Sequence, residues 1–323
     1  MPAIATVLAM AVLAQPADTL LYLPLDGTTS PARGQGPVKV EGRASFQPGV
    51  VGQALVCGEG GAQLQIRRQG NVNPAAGTVS LWVKPLDWKP DDGKFHVFFE
   101  GKGPGWLLVY KYYSAPARVL LLLSDNVKEH GWQLVAGKIE DWQPGQWHHV
   151  AAAWDLRQAR LYLDGKLVST MDHPPVPAVE SETFNLGDAP WHIKRQAQSL
   201  LDEVYVFSRP LTDDEIAALY QAGREGKLAP EQLAPVPPMR VFLLPQGWRN
   251  KYVVMVDLSG LGPQERARVA VRGELVSPAR KATWKGPVSP VVGHIAKIEV
   301  PLHFEPAGPW TFRATAALDG RQV

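Results

Sequence analysis

Apolar residues in this chain recur at every second position in short runs, and the runs stop at glycine, proline, asparagine or aspartate. Successive side chains of a β-strand point to opposite faces, so each run reads as a half-buried strand and each interruption as a turn. Val79-Ser80-Leu81-Trp82-Val83 alternates and ends at Pro85; segments 20–25, 94–100, 106–112, 118–124, 146–154, 159–163 and 201–207 behave alike. Many short strands with regular turn signals leave an all-β sandwich or barrel as the fold. Leu163-Asp164-Gly165-Lys166 adds a hairpin, since Asp-Gly supplies the two positive φ angles of a type I′ turn.

One segment breaks the pattern. Leu211-Thr212-Asp213-Asp214-Glu215-Ile216 predicts a helix start, with Thr212 and Glu215 as a capping box and Leu211 and Ile216 as a staple. Asp213 and Asp214 suit the positive end of the helix dipole, and Gly223 is placed to close the helix. A single helix among strands predicts a clamp on a sandwich.

At 323 residues the chain is long enough for two domains. The proline-rich segment 228–238 reads as a linker between residues 15–227 and residues 239–323. In the second part, 252–258, 267–272, 294–302 and 310–317 are strand-like and predict a small immunoglobulin-like or fibronectin-like sandwich. Leu318-Asp319-Gly320-Arg321 opens a further hairpin close to Val323, so this domain is expected to be truncated.

The 33 basic and 31 acidic residues give a net charge of +2 without a basic run, which removes the electrostatic case for nucleic acid or an anionic membrane. Residues 3–13 are small and apolar, and Val12-Leu13-Ala14 fits a signal-peptidase site. Residues 1–14 are therefore expected to be an export signal, too short to span a bilayer, on a secreted or cell-surface protein without membrane insertion. Cys57 is the single cysteine, so no intramolecular disulfide supports the fold, and its apolar setting predicts a small core residue.

Four stretches, in order, resemble the laminin-G-like, concanavalin A-like jelly-roll modules of secreted bacterial proteins. They are Gly77-Thr78-Val79-Ser80-Leu81-Trp82-Val83-Lys84-Pro85, Pro144-Gly145-Gln146-Trp147-His148-His149-Val150-Ala151, Arg160-Leu161-Tyr162-Leu163-Asp164-Gly165-Lys166, and the closing unit Leu201-Asp202-Glu203-Val204 with Arg209-Pro210-Leu211 and Asp214-Glu215-Ile216. The resemblance implies an antiparallel jelly-roll sandwich with one short helix over residues 15–227, and a binding or spacing module of the kind attached to polysaccharide-processing enzymes. It does not reach the second domain.

Candidate chemistry is sparse. His148 and His149 are adjacent on a strand, so they face opposite ways and cannot share a metal in regular geometry; one interior and one surface imidazole are expected. The related fold hosts glycosidases with three carboxylates at alternating positions of one strand, and no such spacing occurs here. Asp202 and Glu203 are neighbours and face apart. No catalytic residue is expected. Asp26 ends the first strand and Asp202 lies on the closing strand that pairs near it, which makes them candidate ligands of a structural Ca²⁺, or else turn-capping groups. Asp87, Asp91 and Asp92 fail the EF-hand spacing and are expected in solvent.

Trp82, Trp147 and Trp154 lie in signature strands and are expected in the core. Trp88, Trp106, Trp132, Trp142 and Trp191 fall at loops or strand ends, where an indole either stacks on a sugar face or caps the sandwich. These readings predict a secreted, non-catalytic carbohydrate-binding or adhesion module with a polysaccharide or glycan partner. The alternatives are the N-terminal part of a glycoside-hydrolase-like enzyme with its catalytic domain beyond residue 323, or a structural spacer.

Overall fold

The computed structural model of the chain describes residues 18–188, 197–227, 240–246, 251–258, 261, 263–276, 282–292, 295–301, 311–319 and 321–322. The expected export signal at 1–14, the expected linker at 228–238 and Trp191 lie outside these residues.

The first part of the chain forms β1 (Thr19–Leu23), β2 (Lys39–Gly42), β3 (Phe46–Pro48), β4 (Gln53–Gly58), β5 (Ala62–Arg67), β6 (Gly77–Pro85), β7 (His96–Lys102), β8 (Trp106–Lys111), β9 (Arg118–Ser124) and β10 (Gln133–Lys138). It continues through β11 (His148–Trp154), β12 (Gln158–Leu163), β13 (Lys166–Asp172), β14 (Thr183–Leu186), β15 (Gln198–Phe207) and α1 (Asp213–Arg224). The strands are hydrogen-bonded in the order β10-β9-β8-β7-β14-β5-β4-β15-β6-β11-β12-β13, with β1, β2 and β3 beside β15, β5 and β4. This path folds back so that β10 lies against β12 and β13, giving the two-layer jelly roll. Leu64, Phe99, Val109 and Leu121 of one layer meet Val79, Leu81, Ala152, Leu161 and Val206 of the other in the core. Cys57 is fully buried there, and burial raises its thiol pKa far above the ordinary value.

The sharpest sequence signals hold in detail. Asp164 and Gly165 both take positive φ, 49° and 73°. Asp164 also joins two signature stretches: its carboxylate accepts from His149 N (2.9 Å) and bonds His148 Nδ1 (2.9 Å). Thr212 accepts from Glu215 N, and Glu215 accepts from Thr212 N, as the capping box requires. Glu215 further takes a bidentate pair from buried Arg209 (2.8 and 2.6 Å), whose Nε reaches Asp18 (2.6 Å), so the Arg-Pro-Leu stretch anchors the helix electrostatically. Gly223 does not end the helix. Gly226 takes the left-handed conformation, while a Cβ on Gly223 would run into the Trp82 indole.

Each layer has an outer face. That of β1, β15, β11 and β12 carries Tyr22, Tyr205, Phe207, Ala151 and Tyr162, and α1 covers it with Ile216 and Leu219. The helix is the expected clamp. The outer face of β7, β8, β9 and β10 has no helix on it among the described residues, yet it is apolar.

The second part forms β16 (Arg240–Gln246), β17 (Lys251–Asp257), α2 (Pro263–Arg266), β18 (Val269–Val276), β19 (Ala282–Lys285), β20 (Val291–Val292), β21 (Ile295–Pro301), β22 (Thr311–Leu318) and β23 (Arg321–Gln322). These build two four-stranded sheets, β16-β17-β21-β20 and β19-β18-β22-β23. Val254, Val256 and Ile298 of one sheet pack on Val271 and Ala316 of the other. The hairpin at Asp319 has a return strand after all, since Arg321 and Gln322 pair with Leu318 and Ala317. Arg266 donates to Ser208 Oγ (2.7 Å), and Leu156 packs against Val253, Met255 and Ile295, so the two parts touch.

Candidate functional site

Directly opposite residues of an antiparallel pair share a face, so the register maps the uncovered layer. One row runs Lys39, Gln65, Asn185, Glu100, Leu108, Leu122, Leu134 across β2, β5, β14, β7, β8, β9 and β10. Its first half is polar: Glu100 accepts from Asn185 Nδ2 (2.6 Å), and Gln65 donates to Glu41 (3.3 Å). Its second half is aliphatic. A neighbouring row places Val97, Tyr110, Leu120 and Ala136 side by side.

Aromatic rings rise around this aliphatic floor. Trp106, Leu108, Tyr110 and Tyr112 alternate along β8 and just beyond it, so all four point outward. Phe95 packs against Tyr110 (5.1 Å between centroids), and Tyr112 against Tyr113 (4.6 Å). Trp132, immediately before β10, closes the Trp106 end and is 70% exposed. The result is a groove of about 360 Å³ lined by Trp106, Trp132, Tyr110, Tyr112, Tyr113 and Phe95 over Leu108 and Leu122. From Trp106 to Tyr112 it extends roughly 20 Å at the ordinary rise of a strand.

The five tryptophans expected as contacts therefore separate. Trp106 and Trp132 share the groove. Trp88 and Trp142 correct the expectation: both are buried, and their rings lie 6.2 Å apart inside one end of the sandwich. Trp88 donates to Ser199 Oγ (2.8 Å), and Trp142 stacks flat on His148 at 4.0 Å. Neither ring has a face to offer a ligand. Tyr110, Tyr112, Tyr113 and Phe95 join the groove beyond the tryptophans expected from the sequence. The alternation of aromatic residues along 106–112 was the available signal.

Asp26 and Asp202 each hold part of one loop, residues 50–53. Asp202 Oδ2 accepts from Val50 N (2.7 Å) and Val51 N (3.1 Å), its Oδ1 accepts from Glu203 N (3.0 Å), and Asp26 Oδ1 accepts from Gln53 N (2.5 Å). Oxygens facing N–H donors are poor cation ligands, and Asp202 is fully buried. No three His, Cys, Asp or Glu residues among those described are grouped to hold a metal. This pair does not fit a Ca²⁺ shell; Asp202 fastens Val50 and Val51 to β15, and Asp26, just after β1, holds Gln53.

Glu203 sits at an irregularity of β15 with φ of 49° and accepts from Tyr22 (2.8 Å) and Tyr205 (3.0 Å), whose rings stack at 4.3 Å. Burial, then the Asp202 charge, pushes its pKa up to about 8 against these two bonds. Burial likewise raises Asp202 to about 7 against its N–H bonds. The adjoining cavity of about 10 Å³ has room for one water and none for a sugar.

His149 is buried under α1, bonds Ser80 Oγ (2.8 Å), and is held neutral by burial, its pKa near 4. His148 is on the opposite face but is stacked and paired rather than at the surface. Asp92 is also not simply solvated: it accepts from Lys89 N, Lys94 N and buried Lys111 Nζ (2.6 Å).

Residues 58–217 match the family model described as the concanavalin A-like lectin/glucanases superfamily. The jelly-roll domain belongs to that superfamily. Among solved structures, it is similar to domain 4 of an extracellular arabinanase from Geobacillus stearothermophilus, solved with arabinotriose: 20% identity, TM-score 0.51, covering 64% of this chain and 99% of that one. It is similar to the binding domain of Paraclostridial Mosquitocidal Protein 1 at 10% identity and TM-score 0.54, over 74% of this chain and 64% of that one. A botulinum neurotoxin type C structure, described by an interaction with two ganglioside molecules, matches at 12% identity and TM-score 0.51, over 76% and 63%. The chain thus spans just under two thirds of the toxin domains, and at these identities the likeness is one of fold. No curated protein sequence matches the chain. No helix among the described residues is long and apolar enough to cross a membrane.

Proposed function

We propose that the jelly-roll domain is an exported, non-catalytic glycan-binding module and that the groove on the outer face of β7–β10 is its binding surface. The observation that carries the reading is the open, ring-walled groove with Trp132 exposed at its end. Pyranose C–H faces suit apolar, electron-rich rings, and a groove roughly 20 Å long accepts several linked sugars. The polar half of the same face, with Gln65 and Asn185, supplies hydrogen-bonding groups beside the rings. That the arabinanase domain was solved with arabinotriose supports a sugar over other apolar ligands.

The test is a panel of soluble polysaccharides scored by tryptophan fluorescence and by retardation in affinity gels. Binding by the wild type, weakened by Trp132→Ala by about 1–3 kcal/mol with unchanged melting, is the expected result. Failure of every polysaccharide to bind would overturn the proposal and leave an interaction or spacer domain.

A further inference from the structure

The end of the groove away from the tryptophans carries an arrangement that sheet packing alone disfavours. Arg118 of β9 and Lys138 of β10 are directly opposite each other in the register. Alternation puts both on the outer face, with Leu120 and Ala136 next along the same strands. Tyr112 is the third member of this row, since its N–H donates to Arg118 O (2.9 Å), and the guanidinium lies over its ring at 5.9 Å. Like charges directly opposite on neighbouring strands destabilise a sheet. Among the described residues no carboxylate forms an ion pair with either side chain; Arg118 Nε donates to the Pro116 carbonyl (3.2 Å). The rings and aliphatic residues lining the groove include no acid.

Resting on the glycan reading, we propose that the ligand is an anionic glycan, and that Arg118 and Lys138 receive a carboxylate or sulfate of a sugar unit beside the Tyr112 ring. An anion between the two side chains removes their repulsion, and the guanidinium offers a planar fork to it. The Trp106–Trp132 end then holds sugar rings by stacking, while the Arg118–Lys138 end reads charge. At 1:1 stoichiometry the site selects an acidic chain over its neutral counterpart without a net basic protein.

The test compares polygalacturonate with neutral galactan, and dextran sulfate with dextran, against the wild type, Arg118→Gln/Lys138→Gln and Trp132→Ala. The two acidic polymers separate carboxylate from sulfate recognition. The expected result is binding of at least one acidic polymer about tenfold or more tighter than its neutral partner, weakening as salt rises. The double variant should lose this preference while melting no lower than the wild type. Equal affinity for acidic and neutral polymers, still lowered by Trp132→Ala, overturns the charge assignment and keeps the glycan reading. Binding of polyphosphate as tight as the acidic glycan and indifferent to Trp132→Ala overturns it as non-specific attraction. No binding of any polymer overturns both.

Discussion

Glu203→Gln is the sharpest test of the buried carboxyl cluster. Glu203 is 4% exposed, and its carboxyl titrates near 8 in the folded chain instead of 4.5. Below pH 4.5 both states hold the proton, and the folded state bears no charging cost. Between 4.5 and 8 the unfolded chain releases a proton that the folded chain keeps, so stability falls as pH rises. The loss is complete above pH 8. At 1.36 kcal/mol per unit, this displacement corresponds to about 5 kcal/mol as an upper bound. For a domain of this size that is a fall in Tm of about 10–20 °C. Asp202 titrates in the same direction, but the two carboxyls repel each other, so their separate shifts cannot be added. Glutamine reproduces the protonated acid: its carbonyl accepts from one tyrosine hydroxyl, and its amide donates to the other. The measurement is thermal melting of wild type and variant from pH 4 to pH 9.5. The two should nearly coincide near pH 4, with the variant melting roughly 10 °C higher at pH 9. Parallel curves, or a variant that is less stable at pH 9, would refute a buried, high-pKa Glu203.

Three further outcomes follow from the same packing. Trp88→Ala and Trp142→Ala should each cost about 3–5 kcal/mol in a denaturant titration, because each empties a core site, whereas Trp132→Ala should leave the midpoint unchanged. Gly223→Ala should destabilise although alanine is the better helix former by about 1 kcal/mol, since the added methyl meets Trp82; overpacking of this kind typically costs about 1–3 kcal/mol. Melts in Ca²⁺ and in EDTA should share one midpoint, since Asp26 Oδ1 and both Asp202 oxygens already accept backbone N–H bonds; a higher midpoint in Ca²⁺ would restore the calcium reading.

Local rules made some features legible and left others hidden. The Asp164-Gly165 turn and the Thr212 capping box depend on residues within a few positions of each other, and both form as expected. In the jelly roll, strands β2, β3, β4, β5, β10 and β14 fall outside the apolar runs of the sequence, because several are short or polar and exist through partners far along the chain, as Asn185 pairs Glu100 and Gln65. Burial of a tryptophan is likewise non-local. Trp88 and Trp142 sit in loops by sequence, yet the fold turns them toward each other over His148. Pairing of the first and last strands, β1 with β15, brings Asp26 and Asp202 to one loop. What the carboxylates bond is not legible in the sequence, because the donors belong to residues 50–53.

Residues 119–123 read Val-Leu-Leu-Leu-Leu, apolar on both faces of β9. An antiparallel sheet with one solvated face alternates, so a strand that does not alternate requires cover on both sides. Leu121 and Leu123 enter the main core, while Leu120 and Leu122 face outward and are still only 3% exposed. On the other layer a helix provides such cover. Here aromatic side chains do, and they leave a groove instead of a sealed interface. Stability alone would be served better by closing that groove with an aliphatic cap or by polar residues at 120 and 122. The ring-walled groove, with Trp132 held 70% exposed in solvent, leaves apolar surface that a ligand would cover, and this asymmetry between the two layers supports the proposed binding.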